Sequence, residues 1–467
     1  MSRKLLVLFT VILNFSISIA QTPTTVEPGE GTLEAAIQAA GPNDILQLSG
    51  GGVYTLSSSA TSFGKIGMPL TIQVDPGSAE KAILQLGNDA PRTKKYYFFT
   101  VDSGADLTLR GLDIHGLLND TTFGASLLVF DARPEPSMGK IGNFRFENCI
   151  FHDFKDYIIH GMKDDYARGL IQDSVFIDNV IVYNAKHFLQ YKHVSLRHLE
   201  MTNSTVYDMK GMALKIGKIG YRCVLENPDK PYIPITDETI TPTGFIDHCT
   251  LDDMGDIHGH IQVDDAYQML TISNCIISNQ QQYDQPPVYF TDTHADTVVT
   301  IINTCFWKCG PPNSDVGGIN WIGYAFQDTI TMDPEYQDDI NADFSIPPGS
   351  PLLSFGTNSD PIGDPRWIPE VAEAIRNNYA DQFMLSNSPN PFQQHTNITF
   401  RLNKTEFVSL KIFDASGRVV ATLASQMMLA GNHILRWNAD GFGNGLYFCR
   451  LQSNNSATVR KLLLLRY

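Results

Sequence analysis

One eleven-residue pattern recurs along the middle of this chain and constrains its fold more than any other feature. It appears as FRFENCIFHDF from Phe144, VFIDNVIVYNA from Val175, GFIDHCTLDDM from Gly244 and LTISNCIISNQ from Leu270. Apolar residues alternate on both sides of a break residue, which is typical of a strand, a sharp turn and a second strand. The pattern therefore predicts a series of similar two-strand units. Their break residues align at Gly111, Asn148, Asn179, Asn203, His248, Asn274 and Asn303.

The break residues explain how such a chain turns and stacks. Asparagine and glycine tolerate a left-handed backbone, so a strand can bend there within one or two residues. Asparagines stacked at one corner could also hydrogen-bond to one another. The breaks after Asn148 follow at spacings of 31, 24, 45, 26 and 29 residues, which indicates stacked coils with insertions. We therefore predict a right-handed parallel β-helix. An antiparallel β-sandwich is the alternative, but hairpin turn signals are scarce between the repeats.

Both ends of the repeat region have sequences suited to closing a solenoid, whose open coils need cover. The stretch GTLEAAIQAAGPNDILQL, from Gly31, predicts a capping helix that starts near Thr32 and stops at Gly41, followed by a strand. Residues 333–367 are rich in proline, glycine and aspartate and end the pattern. We assign residues 21–367 to the β-helix and residues 368–382 to a linker.

The seven cysteines do not suggest a disulfide scaffold, because they are few for this length and odd in number. Cys149, Cys249 and Cys275 each follow a break residue directly. If this position points inward, the three act as small buried apolar side chains. Cys305 and Cys309 are close enough in sequence to pair, and the sequence leaves their state open.

The first twenty residues resemble an export signal. Arg3 and Lys4 precede the apolar stretch LLVLFTVILNFSISIA, and SIA before Gln21 suits signal peptidase. A membrane anchor is the alternative, but the apolar run is short and frays into serines. We expect a mature chain without a transmembrane segment. Its net charge of -16 argues against nucleic acid as a partner.

Residues 383–467 read as a separate domain. Short alternating strands, such as FMLSNSPNPFQQHTNITFRL from Phe383, are separated by proline, asparagine and glycine turns. This pattern predicts a small immunoglobulin-like β-sandwich. The predicted fold class is thus all-β, a right-handed parallel β-helix followed by that sandwich.

Two resemblances to known families follow from these motifs. The opening TLEAAIQAAGPNDILQLSGGGVYTL and the closing DFSIPPGSPLLSFGT, followed by IGDPRW, both resemble pectin-lyase-like β-helix proteins of Bacteroidetes. That group includes lyases of the chondroitinase B and alginate lyase type and many members without known activity. The resemblance covers residues 31–367 and implies contact with polysaccharide.

The C-terminal domain resembles the type A sorting domain of the type IX secretion system, with a carbohydrate-binding sandwich as the alternative. This resemblance implies recognition by the secretion machinery and a route through the periplasm to the outer-membrane cell surface or the extracellular space. Cleavage of the domain is left open. The matching motif residues are Pro389, Asn390, Pro391, Phe392, Asp414, Gly417, Arg418, Gly445 and Tyr447.

A third recurring strand supplies the candidate site. We align an inward apolar column of Ile159, Leu189, Leu214, Ile261 and Tyr289, so the next residue of each strand faces outward. We predict that this face binds polysaccharide. An outward strand face must be polar in any soluble protein, so a surface without a ligand is the alternative. The predicted substrate-binding residues are His160, Gln190, Lys192, Gln262 and Phe290.

A calcium-assisted lyase acting on acidic glycans is the second hypothesis. Lys215 or Lys192 could remove the proton next to a uronic carboxylate, and Arg197 or Arg222 could stabilise the resulting anion. Acidic residues downstream could hold calcium, which accepts several oxygen ligands with loose geometry. Lyases of the chondroitinase B type place a lysine and an arginine beside calcium, a pattern that this sequence does not match residue by residue. A surface adhesin is the third hypothesis, and in each case we expect a monomer. The predicted calcium ligands are Asp252, Asp253, Asp256 and Asp264.

Overall fold

The chain forms two compact units, seen here in a computed structural model. The first unit runs to Asp339 and includes Ser350–Trp367, and the second comprises Ile340–Gly349 and Ile368–Tyr467. The proposed signal peptide and most of the proposed linker lie outside the described residues. The structure describes residues 22–87, 96–116, 125–130, 140–160, 170–191, 194–217, 243–255, 259–264, 269–281, 286–290, 298–309, 324–369, 385–388, 390, 392–402, 405–414, 418–429, 431–452, 457–464 and 466.

The first unit is a coil of three strands repeated along one axis, and equivalent strands of successive coils pair in parallel into three ladders. Two long strands bend from the second ladder into the third. The first ladder contains Thr24–Val26, Asp44–Leu48, Pro69–Val74, Asp106–Arg110, Lys140–Glu147, Leu170–Asp178, Val194–Thr202, Thr243–Asp247, Met269–Ser273, Val298–Ile302 and Tyr324–Gln327. The second ladder contains Gly29–Glu30, Val53–Leu56, Ala82–Leu86, Leu112–His115, Ile150–His160, Ile181–Gln190, Thr205–Met209, Thr250–Met254, Ile276–Gln280, Cys305–Trp307 and Ile330–Thr331. The third ladder contains Gly64–Ile66, Tyr96–Val101, Ala125–Phe130, the ends of Ile150–His160 and Ile181–Gln190, Leu214–Gly217, Ile261–Asp264 and Val288–Phe290.

Alternating apolar residues fill the space inside the coils, as the repeat predicts. Phe144 pairs with Leu107 and Val175 in the first ladder, and all three are fully buried. The apolar residue three positions after each break is buried in the second ladder as well. The predicted right-handed parallel β-helix is confirmed, and parallel pairing throughout the described strands of this unit excludes the sandwich alternative for it. The buried second-ladder residues are Phe151, Val182, Val206, Leu251, Ile277 and Phe306.

The seven break residues form the first corner of the coils in which they lie. Gly111, Asn148, Asn179, Asn203, His248, Asn274 and Asn303 all have φ between 48° and 70°, the left-handed conformation predicted for them. Asn179 donates its side-chain amide to Asn148 Oδ1 at 3.3 Å, and Asn303 donates to Asn274 Oδ1 at 3.4 Å. Elsewhere Asn203 donates to Asp178 instead. The expected stacking of corner amides is therefore present at some coils and replaced by amide–carboxylate pairs at others.

A second corner follows five residues after the first, and the sequence reading did not identify it. Its residues again have left-handed backbones, but they are mixed in type, so no single residue marks them in the sequence. Because the two corners are always five residues apart, the residues between them point inward or outward in the same order in each of these coils. The second-corner residues are Asp153, Asn184, Asp208, Asp253, Asn279 and Lys308.

The cysteines after the first corner point inward, as predicted. Cys149, Cys249 and Cys275 are free and buried. Burial raises the pKa of the Cys149 thiol to about 11, so the side chain stays an uncharged apolar filler. Cys305 and Cys309, whose state the sequence left open, are also free thiols.

The predicted cap is the helix Thr32–Ala39, which places Leu33 and Ile37 in the core of the first coils. At the other end, residues 356–367 run back along the first corner as a C-terminal strap. Thr357 donates its amide to Asn274 Oδ1 at 2.9 Å, and Trp367 Nε1 donates to Thr205 Oγ1 at 2.7 Å. The strap thus hydrogen-bonds to corner residues of several coils. The short 3₁₀ helices of this region are Asp339–Asn341, Pro351–Ser354, Thr357–Ser359 and Pro365–Trp367.

The second unit contains two antiparallel sheets around their own core. Phe392 is buried against Trp437, with ring centroids 5.4 Å apart, and Asn390 Oδ1 accepts the Leu463 amide at 2.7 Å. Arg418 Nε donates to Asp414 Oδ2 at 3.0 Å. The described motif residues therefore hold this fold together, while Pro389, Pro391 and Gly417 lie outside the described residues. The strands are Leu385–Ser388, His395–Leu402, Glu406–Asp414, Val419–Met428, Gly431–Asn438, Gly445–Gln452 and Ala457–Leu464.

The first corner predicts how substitutions at Asn179 affect stability. Asn179→Gly and Asn179→Val lose the same side-chain contacts, but only valine opposes φ of 55°. The valine variant should be less stable than the glycine variant by about 1–2 kcal/mol, the cost of a left-handed residue with a Cβ. Denaturant unfolding of both proteins measures the difference in free energy of unfolding.

Thr271, in the strand Met269–Ser273, is the matched control for that pair. Its backbone is extended, so Thr271→Val should be the more stable variant and Thr271→Gly the less stable, because valine favours strands. The same order of stability at both positions would contradict the role assigned to the corner.

Candidate functional site

The polar column predicted on the third strand exists in the third ladder. His160 pairs with Gln190, Gln190 with Lys215, and Lys215 with Gln262. The preceding residues, Ile159 among them, are fully buried in the core, so the column projects from the opposite face. We call these four residues the third-ladder column.

The predicted alignment is wrong by one residue at the final coil. Gln262 pairs with Tyr289, whereas Phe290 pairs with Val263. Val288, Tyr289 and Phe290 are three consecutive apolar residues, so alternation could not fix the register there. In the structure, Ile261 donates its amide to Pro287 at 3.0 Å, and this pairing sets the strand one position earlier.

The third-ladder column is partly shielded from solvent. His160 and Lys215 are half-buried, whereas Gln190 is 9% exposed and Gln262 is 3% exposed. Side chains on a freely solvated strand face would show far more of their surface. The column is therefore a sheltered polar strip with a cationic side chain in the middle.

Aromatic rings and a second cation border the column at its His160 end. The Tyr157 ring stacks on His160 at 4.3 Å and on His187 at 5.1 Å. Lys186 Nζ lies 4.9 Å from the centroid of the Tyr157 ring, a cation–π contact. His187 Nδ1 accepts the Met212 amide at 3.0 Å, which fixes the ring orientation. These contacts give the end of the column a rigid border.

The residues suggested for a lyase are not grouped in one ladder. Arg197 lies in the first ladder, where Nη1 is 3.4 Å from Asp173 Oδ1, while Lys215 lies in the third. Lys192, Arg222 and Asp256 lie outside the described residues. The backbone of Asp264 pairs with Gly217, but its side chain is not described. The catalytic assignments stay predictions.

The two adjacent aspartates of the suggested calcium site engage different partners. Asp252 is buried, and its Oδ1 accepts from Ser278 Oγ at 2.5 Å and Asn279 Nδ2 at 2.9 Å. Burial raises its pKa to about 6, against the effect of these hydrogen bonds. Asp253 sits at the second corner and accepts from Gln281 at 2.9 Å. Calcium binding by these residues stays a prediction.

A second column, on the outward face of the second ladder, was missed in the sequence. It comprises His115, His152, Tyr183 and Tyr207, each four residues after a first-corner residue. The His152 and Tyr183 rings stack at 4.8 Å, nearly parallel, and Tyr183 stacks on Tyr207 at 5.1 Å. The residue four positions after each of these breaks carries a ring, and this recurrence is the sequence signal for the ring column.

Charged groups surround the histidine end of the ring column. Burial disfavours the charged carboxyl of Asp113, but the neighbouring His115 and His152 side chains outweigh it and hold the Asp113 pKa well below its usual range. Burial disfavours charge on His152 as well, and Asp113 and Asp153 overcome it and raise the His152 pKa. Burial raises the pKa of Tyr183 to about 12, so its hydroxyl stays neutral.

Comparison with protein families matches two segments of the chain to two different families. Residues 388–465 match the secretion system C-terminal sorting domain, and residues 244–367 match a domain of unknown function, DUF5123. The protein is therefore a β-helix protein exported through the type IX secretion system, located at the cell surface or outside the cell. Among the described residues, no helix is long and apolar enough to cross a membrane.

Two solved structures resemble the chain weakly. The alginate lyase AlyGC, of polysaccharide lyase family 6, shares 17% identity with a TM-score of 0.42, over 66% of this chain and 39% of that one. A point variant of the same enzyme gives 18% identity and a TM-score of 0.39, over 67% of this chain and 38% of that one. The chain thus spans about two fifths of their length. No curated protein matches.

His260, which precedes a third-ladder strand, predicts a pH dependence of stability. The side chain is fully buried, and its Nε2 lies 2.9 Å from the Ser278 carbonyl oxygen. Burial lowers its pKa from 6.5 to about 4. The unfolded chain therefore binds the proton more tightly, and stability present above pH 6.5 is lost as the pH falls towards 4. The full loss is about 3 kcal/mol.

His260→Gln keeps a side-chain donor but cannot be protonated. The free energy of unfolding of the wild type should fall relative to this variant by about 2–3 kcal/mol between neutral pH and pH near 4.5. Met254→Leu, a buried substitution without a titrating group, is the control. It should change the free energy of unfolding by the same amount at neutral pH and near pH 4.5. A pH-independent difference between wild type and His260→Gln would contradict the prediction.

Proposed function

We propose that this exported protein binds polysaccharide along the third-ladder column. The observation that supports the proposal is the register of His160, Gln190, Lys215 and Gln262 on four successive coils. Adjacent coils are about 4.8 Å apart, so the column offers polar groups along roughly 14 Å. A regular line of this kind suits a ligand that is itself a repeating chain.

The residue types favour an acidic polysaccharide. Glutamine amides can donate to and accept from sugar hydroxyls, and lysine and histidine can donate to carboxylates. Lys215 lies in the column, and Lys186 lies beside its Tyr157 border. The whole chain carries a net charge of -16, so attraction of an anionic glycan has to come from these local cations.

The sheltered position of the column also suits ligand binding. Hydrogen bonds and charge pairs are stronger where water is partly excluded. Gln190 and Gln262, the two least exposed members, would then fix the orientation of a sugar ring, and Lys215 between them would bind its carboxylate.

Binding assays with alginate, pectate and glycosaminoglycans test the proposal. Lys215→Met keeps the length of the side chain and removes its charge, so the affinity for the preferred glycan should fall roughly tenfold or more. Lys210→Met, at an exposed lysine just after the strand Thr205–Met209, is the matched control and should bind like the wild type. Equal losses in the two variants, or no binding to any acidic glycan, would contradict the proposal.

The same mixtures separate binding from the lyase and adhesin hypotheses. A lyase would release unsaturated products, which absorb ultraviolet light, and Lys215→Met would abolish that signal. Stable binding without product supports the binding function alone. An adhesin that recognises proteins would bind no glycan in any of these mixtures.

A further inference from the structure

Three potential metal-binding atoms converge on the outward face of the second ladder. Asp113 and His115 lie on the strand Leu112–His115, and His152 lies on the neighbouring strand, directly paired with His115. His152 Nε2 is 3.2 Å from Asp113 Oδ1, and His115 Nε2 is 3.4 Å from the same oxygen. One ligand atom from each residue lies within 4.8 Å of the other two.

The distances between these three ligand atoms fit coordination of one shared metal ion better than direct hydrogen bonds between the side chains. Asp113 Oδ1 and His115 Nε2 are shielded from solvent, yet neither makes a contact with hydrogen-bond geometry. In a tetrahedral zinc site with metal–nitrogen distances near 2.05 Å, neighbouring ligand atoms are about 3.3 Å apart. The two measured separations lie on either side of that value.

Asp153 and Tyr183 hold His152 in the required orientation. His152 Nδ1 is 2.8 Å from Asp153 Oδ2, so Asp153 favours the proton on Nδ1 and leaves a lone pair on Nε2. This carboxylate–histidine arrangement is the usual support for a metal-ligating histidine. The flat stack of Tyr183 on His152 prevents the ring from rotating away.

The ligand types select the class of metal. Two imidazoles and one carboxylate suit zinc and other divalent first-row transition metals, whereas calcium takes oxygen ligands. Three protein ligands leave a fourth position open, as in zinc sites that bind water or a substrate. His115 and Asp113 retain 33% and 24% side-chain exposure, so both side chains border solvent.

We propose that Asp113, His115 and His152 bind one divalent transition-metal ion, with zinc as the natural candidate, and that Asp153 positions His152. The site lies on the second ladder and differs from both the third-ladder column and the suggested calcium ligands. Its open position would take water or a donor group of a ligand.

Zinc titration of the purified, chelator-treated protein tests the site. Calorimetry should give one zinc ion per chain, and cobalt(II) should give the visible absorption typical of four-coordinate nitrogen and oxygen sites. His152→Ala should abolish both signals. Asp113→Asn, which keeps the side-chain volume, should weaken binding as well, and circular dichroism checks that each variant is folded.

Two further variants separate this site from casual binding by surface histidines. Asp153→Asn should lower the zinc affinity roughly 10–100-fold, the usual effect of losing such a support. His198→Ala removes another half-buried histidine that lies near a carboxylate, Glu200, and should leave the affinity unchanged. The proposal fails if no zinc binds, if His152→Ala or Asp113→Asn binds zinc as the wild type does, or if His198→Ala weakens binding as much as they do.

Discussion

The left-handed bend at the first corner is the constraint on which the rest of the first unit depends. Six of the described coils turn at a residue such as Asn148 or Asn179 and turn again five residues later. Because the two bends keep a fixed separation, residues at the same offset in successive coils lie above one another. A shift of one residue would exchange the inward and outward faces of a strand. The corner therefore sets both the core and the outward columns.

Residues at the same distance from the first corner in successive coils form columns. The residue types of a column decide whether it fills the core, links neighbouring coils by hydrogen bonds or offers groups that can bind a ligand. Inside, phenylalanine, leucine and cysteine fill the coils. At the first corner, amides and carboxylates form hydrogen-bonded pairs, and the strap from Thr357 to Trp367 adds its own contacts there. Outside, the second ladder presents rings and carboxylates, and the third presents amides and cations. One backbone thus offers two different outward surfaces.

The sequence was sufficient where a feature is local and repeated. The first corner, the inward cysteines and the helix Thr32–Ala39 follow from residue type and alternation alone. It was insufficient where the signal is mixed or comes from distant coils. The second corner uses aspartate, asparagine and lysine, and the run from Val288 to Phe290 has no alternation to fix its register. His115 and His152 are far apart in sequence and meet only because adjacent coils pair in phase.

Hydroxyl-radical footprinting in the presence of a bound acidic polysaccharide tests the central claim, that the third-ladder column is the glycan-binding surface. His160 belongs to this column and Tyr157 borders it, and both react with radicals, while Tyr183 and Tyr207 lie on the second ladder and serve as internal references. The structure predicts that bound polysaccharide lowers oxidation of Tyr157 and His160 and leaves Tyr183 and Tyr207 unchanged. Shielding of the second-ladder residues instead, or unchanged oxidation at Tyr157 and His160 while polysaccharide remains bound, would contradict it.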